Sequence, residues 1–315
     1  MLEALRGASE AVSGEVLAAD LGVSRVAVGK HVAALRELGY RIDAQRGEGY
    51  RLVEVPDAPL PFEVSPLLRS SFFGRLEGGR STGSTNDDAR DLARGGAPEG
   101  TCVLAAEQRG GRGRLGRVWV SPAGGVYASI VLRPTVETPD AIVLPLVVGL
   151  GVARAIAARG ADARLKWPND VLDARGRKLA GVLLEGLSEG WRIAWVVAGI
   201  GLNVHEAPSE TDAVGLDELV GSRVPLAKAA AEVLDAVADA YLSWGRDGFA
   251  PLRQEYDRRA WLNGRDVTVS DAAGRVVASG AVEGIDAQGR LLVVSGGTRV
   301  AVAAGDVTLR GESRD

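Results

Sequence analysis

The segment Gly111-Arg112-Gly113-Arg114-Leu115-Gly116-Arg117-Val118-Trp119 alternates glycines with arginines shortly after an apolar run at 102–106. Glycine permits positive φ angles and a close approach of the backbone to a ligand. Arginine supplies a fixed fork of donors that matches carboxylate and phosphate groups. The segment therefore predicts a mobile loop that closes over an anion.

Three interpretations of this loop compete. Its glycine spacing fits the dinucleotide-binding fingerprint, but that fingerprint opens a helix, and here 118–122 predicts a strand and then a break at Pro122. The spacing also fits a kinase glycine-rich loop, but no His-Arg-Asp or Asp-Phe-Gly motif follows. The third interpretation is an arginine-rich surface turn, and the glycine pattern alone does not decide between that turn and an anion site.

Four further motifs surround the loop. They are Ser84-Thr85-Asn86 before it, and Lys166-Trp167-Pro168-Asn169-Asp170, the segment 177–185 (Arg-Lys-Leu-Ala-Gly-Val-Leu-Leu-Glu) and Gly199-Ile200-Gly201-Leu202-Asn203-Val204 after it. In this order the set closely resembles the biotin protein ligases, and the resemblance covers nearly the whole chain. The N-terminal segment resembles that of the bifunctional type, in which the ligase is also a DNA-binding biotin repressor.

The patterns and the resemblance together predict an α+β protein of three domains. A winged helix-turn-helix is expected over 1–53, followed by a proline-rich linker over 54–62. The resemblance implies a biotin- and ATP-binding catalytic domain over 63–262, with a mixed β-sheet flanked by helices in the manner of the class II synthetases. Short apolar strands separated by glycine turns over 263–315 predict a small β-barrel that resembles the SH3-like C-terminal domain of the family.

The composition is that of a soluble globular protein, with 315 residues, 46% hydrophobic and 25% charged. The net charge of −4 predicts no global affinity for nucleic acid, so any DNA contact must come from a local basic patch. The single cysteine, Cys102, permits no intrachain disulfide, and no Cys/His cluster has metal-ligand spacing, so no metal-ligating residue is predicted. The N-terminus has no signal-peptide pattern, and the apolar stretch 141–158 predicts a buried helix, so we expect a cytoplasmic protein.

Residues 1–53 predict three helices and a hairpin. Ser13 and Ser24 are the predicted N-caps of the second and third helices, with Gly22 in the turn between them. The predicted buried stripe of the third helix consists of Val26, Val28, Val32, Leu35 and Leu38.

DNA contacts are expected on the exposed face of that helix and on the wing, because phosphate contacts position such a domain and base-edge contacts specify the sequence. The predicted contact residues are Ser24, Arg25, Lys30, His31 and Arg46. A protein-interaction or purely structural domain is the alternative, but the agreement of turn, caps and wing favours DNA binding. The first helix has almost no residues before it, which counts against this interpretation and suggests a shortened start.

The resemblance assigns most of the candidate site residues. In biotin ligases the residues that match Ser84, Thr85 and Asn86 hydrogen-bond the ureido ring of biotin, although these side chains are also ordinary at a helix start. Gln108 and the segment 112–114 are implied to contact biotin or its activated form. The full biotin-binding set is Ser84, Thr85, Asn86, Gln108, Arg112, Gly113, Arg114, Lys166, Gly199 and Gly201.

Three of these are the predicted catalytic residues: Lys166, Arg112 and Arg114. In the family the lysine of the Lys-Trp-Pro-Asn-Asp motif contacts biotin and the α-phosphate, and the two arginines would neutralise the junction of carboxylate and phosphate. Nucleotide contacts are predicted for Arg117, Asn169 and Asn203. Trp119 is expected in the core, on a strand at 119–120.

Similarity to the ligases implies a two-step reaction with ATP and Mg²⁺, in which biotin becomes biotinyl-5′-AMP and is then transferred to a lysine of a biotin carboxyl carrier protein domain. The metal is expected to arrive on ATP, since phosphates plus one or two carboxylates commonly hold Mg²⁺. A homodimer of adenylate-loaded chains on operator DNA is also implied. Two alternatives are a lipoate ligase of the same superfamily and a ligand-responsive repressor without ligase activity.

Overall fold

The computed structural model describes residues 1–45, 47–208 and 212–309, apart from the side chains of residues 138–140. The chain divides into two compact units, Met1–Ala58 and Pro59–Asp315. The division falls inside the predicted linker 54–62, and the predicted domain boundary at 262 stays a prediction.

The first unit is a helix-turn-helix followed by a hairpin, as the sequence predicts. Ser13 and Ser24 each accept a hydrogen bond of 3.2 Å from the backbone N–H three residues later, so both cap a helix. Gly22 ends the second helix at φ 63°, in the left-handed region that glycine adopts without strain. The elements are α1 Leu2–Arg6, α2 Gly14–Leu21, α3 Arg25–Glu37, β1 Arg41–Gln45 and β2 Gly49–Glu54.

The buried stripe of α3 is narrower than the sequence analysis predicted. Val28, Val32 and Leu35 are buried, whereas Val26 is 72% exposed. Two residues turn the helix through about 200°, so Val26 lies on the face opposite to Val28. The prediction that Val26 belongs to the buried stripe is therefore wrong.

A seven-stranded mixed sheet forms the centre of the second unit. Its strands are β3 Arg75–Thr82, β4 Thr101–Gln108, β5 Gly125–Leu132, β6 Arg164–Lys166, β7 Asp170–Leu172, β8 Lys178–Glu189 and β9 Arg192–Asn203. Their spatial order is β3-β4-β5-β9-β8-β7-β6. Only β3 and β4 run parallel, and every other neighbouring pair is antiparallel. The predicted mixed sheet is confirmed.

Helices cover both faces of this sheet. They are α4 Pro61–Val64, α5 Thr85–Arg94, α6 Leu144–Ala158, α7 Leu216–Val220, α8 Leu226–Asp247 and α9 Ala250–Arg259. On β5, Val131 packs in the cluster beneath α5, whereas Ala128 and Ile130 join the larger core that contains α6 and α8. Because side chains alternate along a strand, β5 is buried from both sides, and all eight of its residues are buried.

A second, five-stranded antiparallel sheet follows the helices, in the order β13-β12-β11-β10-β14. Its strands are β10 Asp266–Ser270, β11 Val276–Ile285, β12 Leu291–Ser295, β13 Thr298–Val302 and β14 Asp306–Leu309. Its buried valines and leucines belong to the same hydrophobic cluster as the central sheet. Buried Trp167 also donates a 3.0 Å hydrogen bond from Nε1 to the carbonyl of Gly289. This sheet is therefore packed directly against the region of the Lys-Trp-Pro-Asn-Asp motif.

The predicted strand at 119–120 does not form. Residues 119 and 120 take part in no bridge, and the residues on either side of them form only isolated ones, Val118 with Arg112 and Ser121 with Gln108. Val118 is 79% exposed and Val120 is 52% exposed, so these apolar residues do not belong to a buried strand. Within the part of the chain that the structure describes, one apolar window, Ala141–Ala158, is long enough to cross a membrane, but 67% of it is buried inside the protein, as befits a core helix.

Candidate active site

A cavity of about 550 Å³ opens between the loop 108–119, the N-terminus of α5 and the strands β8 and β9. Twelve of the residues predicted from the sequence line it: Ser84, Thr85, Asn86, Gln108, Arg112, Gly113, Arg114, Arg117, Lys166, Asn169, Gly199 and Gly201. Asn203 lines a neighbouring cavity of about 400 Å³ instead. Trp119, Lys166, Asp170 and Lys178 line both cavities, so the two adjoin.

The three polar residues that begin α5 are buried at one end of the larger cavity. Ser84 is the N-cap residue, but its side chain makes no capping hydrogen bond, so capping does not account for it. The backbone N–H of Thr85 donates to Gln108 Oε1 at 2.8 Å, and Gln108 Nε2 donates to Ser121 Oγ at 2.9 Å. These contacts hold Thr85 and Gln108 beside each other at the cavity wall.

The strand glycines Gly199 and Gly201 lie against side chains of this chain. A Cβ at Gly199 would lie 2.1 Å from Asn86 Oδ1, and a Cβ at Gly201 would lie 2.5 Å from the indole of Trp119. Both glycines therefore make room for side chains of this chain, while also lining the cavity. Trp119 is half-buried above them and faces both cavities, so the expectation of a purely core tryptophan is wrong.

Arg112 lies in a cluster with two carboxylates. Its guanidinium donates to both oxygens of Asp87, at 2.6 and 2.8 Å, and to Glu185 at 3.2 Å. Arg90 joins the same two carboxylates, at 2.6 and 3.0 Å. The hydrogen bond from Arg112 lowers the pKa of Asp87, and the same contact raises the pKa of Arg112. The positive charge of Arg112 is thus offset by its own neighbours.

Arg114 and Arg117 tie the loop to the C-terminal sheet. Arg114 donates to Asn169 Oδ1 at 3.3 Å and to the carbonyl of Gly305 at 3.2 Å, and burial lowers its pKa. Arg117 pairs with Asp306, the first residue of β14. Between them Leu115 has φ 56°, an uncommon value for a residue with a side chain. The loop is closed against β14 at a conformational cost.

Lys166 ends β6 and is half-buried at the junction of the two cavities. Within the described residues its ammonium group forms no ion pair. By contrast, Lys178 pairs with Asp170 at 2.8 Å and lies 5.2 Å above the ring of Trp119. Lys166 is therefore the lysine of this cavity whose charge faces open space.

The sequence analysis missed several residues that line the cavities. Lys178 is one of only four lysines and opens the Lys-Leu-Ala-Gly run, which was a usable signal. Asp306 and Thr308 of β14 line the larger cavity, and Trp261 lines the smaller one. Their local sequence does not indicate that they line a cavity, because they lie far along the chain from the other residues of the site.

The donor set excludes a closed protein metal site among the described residues, since no group of three His, Cys, Asp or Glu side chains there could hold an ion. The larger cavity is lined by two carboxylates, Asp170 and Asp306. This arrangement fits a Mg²⁺ ion that reaches the site on nucleotide phosphates and takes one carboxylate from the protein.

The predicted DNA-contact residues lie together on the first unit. Ser24, Arg25, Lys30 and His31 are all exposed on α3 or at its start, and Arg46 lies outside the described residues. The hydroxyl of Ser24 is used as the helix cap. Arg25 forms a 2.9 Å ion pair with Glu15, in which both side chains are largely exposed. Such a pair is worth little in water, so it leaves Arg25 available for a phosphate.

Three family models match the chain. The biotin/lipoate A/B protein ligase family matches residues 78–203, an HTH domain matches 1–51, and the biotin protein ligase C-terminal domain matches 263–310. The first match covers the loop 108–119 and the strands β8 and β9, and the second covers α3.

Several relatives match over most of their length. The bifunctional ligase/repressor BirA of Bacillus subtilis (strain 168) is 34% identical over 294 residues, which is 90% of each chain. The biotin–[acetyl-CoA-carboxylase] ligase of Mycobacterium tuberculosis is 38% identical over 76% of this chain and 93% of its own. A solved structure of the biotin protein ligase from Aquifex aeolicus, in complex with biotin and ATP, has a TM-score of 0.65 at 28% identity and covers 76% of this chain and 99% of its own.

Proposed function

The chain belongs to the biotin protein ligase family, and we propose that it activates biotin with ATP to biotinyl-5′-AMP and transfers the biotin to a lysine of a biotin carboxyl carrier protein. The observation that carries this proposal is that twelve of the residues predicted for the site line one cavity. Neither a lipoate ligase nor a repressor without ligase activity has a specific observation in its favour.

The buried polar end of the cavity suits the ureido ring of biotin, a small ring with N–H and C=O groups. Thr85, Asn86 and Gln108 supply both donors and acceptors there, and Ser84 adjoins them. The cationic end, with Lys166 and Arg114, suits the carboxylate of biotin and the α-phosphate of ATP. The ligand would then extend along the cavity from α5 toward β6.

In the first step an oxygen of the biotin carboxylate forms a bond to the α-phosphorus, and the bond from that phosphorus to the bridging oxygen breaks, releasing pyrophosphate. Two anions meet in this step, so cations must lie between them. Lys166 is the strongest candidate because no carboxylate among the described residues offsets its charge. Arg112 would have to exchange Asp87 or Glu185 for the ligand, so we assign it a supporting role.

The smaller cavity is the proposed nucleotide site. Asn203, Trp261 and Lys178 line it, and it meets the larger cavity at Lys166 and Asp170. Arg117 and Asn169 face the phosphates in this arrangement. A Mg²⁺ ion held by the phosphates and Asp170 would supply further positive charge to the reacting phosphate.

In the second step the amine of the carrier lysine attacks the acyl carbon of the mixed anhydride. The carbon–oxygen bond to the phosphate breaks, AMP leaves, and an amide forms. No covalent intermediate with the protein is required.

The test measures AMP formation and biotin transfer onto a purified carrier domain. Lys166→Ala is expected to lower the rate by about 100- to 1,000-fold, the usual cost of removing one group that stabilises transition-state charge. Lys228→Ala is the matched control, since that lysine is exposed on α8 outside both cavities. Wild-type protein that binds biotin but forms no AMP would refute the ligase proposal.

The helix-turn-helix of the first unit supports a role as a biotin-responsive repressor, and we propose that the protein acts in the cytoplasm. We propose that the adenylate promotes a homodimer, which presents two α3 helices to a two-fold-symmetric operator DNA. Sedimentation equilibrium with and without biotinyl-5′-AMP tests the dimer. Lys30→Ala should weaken DNA binding and reduce the salt slope by about one. A protein that selects no sequence from a random duplex pool would refute the repressor role.

A further inference from the structure

We propose that Glu185 and Ser129 set the direction of the hydrogen bonds at the polar end of the cavity, and thereby make the hydroxyl of Thr85 an acceptor for an N–H group of the ligand. The inference rests on the proposed function, since it concerns recognition of the ureido ring. Neither residue lines the cavity, so both are positioning residues that act through Asn86 and Thr85.

Glu185 fixes the amide of Asn86. The Nδ2 group of Asn86 lies 2.8 Å from a carboxylate oxygen of Glu185 and 3.5 Å from the carbonyl of Leu183. An ionised carboxylate and a carbonyl can only accept, so the nitrogen of the amide must be on this side. The oxygen of the same amide is then held toward Ser129.

Ser129 carries a single hydroxyl proton for two close contacts. Its Oγ lies 2.6 Å from Asn86 Oδ1 and 2.7 Å from Thr85 Oγ1, and the residue is completely buried. The amide oxygen has no proton, so the Ser129 proton must fill the contact with Asn86. The contact with Thr85 then needs a proton from Thr85, because two oxygens at 2.7 Å without one would repel each other.

The hydroxyl of Thr85 therefore donates its hydrogen bond to Ser129 Oγ. The Thr85 hydroxyl also lies 3.0 Å from Gln108 Oε1, which is longer than its 2.7 Å contact with Ser129, so this is the contact left without a proton. Gln108 Oε1 already accepts a hydrogen bond from the backbone N–H of Thr85 at 2.8 Å. Toward the cavity, Thr85 Oγ1 can therefore only accept a hydrogen bond. The orientation of Gln108 agrees, because its Nε2 donates to Ser121, whose own proton goes to the carbonyl of Trp119.

The direction of the chain thus runs from Thr85 through Ser129 and Asn86 to the carboxylate of Glu185. The carboxylate makes the shorter of the two contacts with the Asn86 nitrogen and can only accept, so it imposes this direction, whereas an amide in its place could serve as donor or acceptor. With Glu185 in place the cavity offers an acceptor to a ring N–H and rejects a ligand that lacks one.

The test uses Glu185→Gln, which keeps the size of the side chain and removes the obligate acceptor. Calorimetry measures the dissociation constants of biotin and of biotin methylated on a ureido nitrogen. The substitution should weaken biotin binding about tenfold and lower the preference for biotin over the methylated compound by a similar factor, the value of one directed hydrogen bond. ATP binding should change by less than about twofold.

Asp87→Asn is the matched control, because it removes the shorter contacts of Arg112 and leaves Asn86 untouched. It should leave the preference ratio unchanged, whereas Ser129→Ala should lower the ratio as Glu185→Gln does. An unchanged ratio in both folded variants would overturn the inference, and so would an equal loss in Asp87→Asn. Biotin binding without AMP formation in the wild type would refute the ligase function and leave this binding test intact.

Discussion

Replacing Gly201 by alanine should damage the active site through Trp119. The added Cβ would lie 2.5 Å from both Cε2 and Nε1 of the indole. Carbon atoms in contact normally lie about 3.5–4.0 Å apart, so the ring must move by about 1 Å. The indole Nε1 is buried without a hydrogen-bond partner among the described residues, so no such bond resists the displacement.

The size of the effect follows from where the ring lies. Overpacking of this kind costs about 1–3 kcal/mol of stability when the structure cannot relax, and we expect the lower end because the loop can move. Activity should suffer more, since Trp119 faces both cavities and is continuous with the loop that carries Arg114. A displacement of about 1 Å at a catalytic site can cost about 100-fold, so we expect kcat/KM for adenylate formation to fall by about 10- to 100-fold.

Biotin-dependent exchange of pyrophosphate into ATP is the assay, with chemical denaturation as the measure of stability. Gly245→Ala is the control, because that glycine lies in α8 with no heavy atom near its added Cβ. Alanine there should stabilise the helix by about 0.5–1 kcal/mol and leave exchange unchanged. In a Trp119→Ala background the Gly201 substitution should cause no further loss. Additive effects of the two substitutions would refute the proposed clash.

Three further predictions concern groups outside the reacting centre. Asp235→Ala should lower the free energy of unfolding by about 3 kcal/mol or more, since the buried carboxylate accepts two backbone N–H groups and the side chain of Arg69; a change below about 1 kcal/mol in urea denaturation would contradict this. Because Arg112 lowers the pKa of Asp87 from 3.8, their pair should stabilise the fold fully above that pH and lose its effect as the pH falls through the lower folded value. Asp87→Asn should therefore show a shallower acid-side loss of stability, and an unchanged pH profile would contradict the pairing. Burial raises the pKa of Cys102 to about 12, so iodoacetamide should alkylate it at pH 8 only after denaturation, as mass spectrometry would detect.

The residues predicted for the site, most of them from the resemblance, line one cavity, whereas several of their neighbours there were not predicted. Ser84, Thr85 and Asn86 stand together because they open one helix, and the residues of the loop share one short segment. Residues that are adjacent in the sequence can be assigned to the same site without knowledge of the fold. The mixed sheet was predicted from the resemblance to the biotin protein ligases and not from the pattern of its strands, since β3 and β6 are not apolar runs.

Contacts between distant segments could not be predicted in the same way. Arg117 meets Asp306 across 189 residues, and the overlap of Gly201 with Trp119 depends on the register of β9 against its neighbours. Gly199 and Gly201 of β9 were predicted to contact biotin, but the packing of Asn86 and Trp119 against them could not be predicted. The error at Val26 has a local cause, because its spacing from Val28 does not fit one helical face.

Carboxylates offset part of the positive charge around the cavity, through Arg112 and Arg117. Five cations and two carboxylates line it, and Asp87 and Glu185 reach Arg112 from outside the lining. Without those carboxylates the cations would repel one another across a space of about 550 Å³. With them, the positive charge that remains unpaired includes that of Lys166, which lines both cavities. We therefore expect an anionic substrate to bind nearest Lys166, since no carboxylate among the described residues offsets the charge of that lysine.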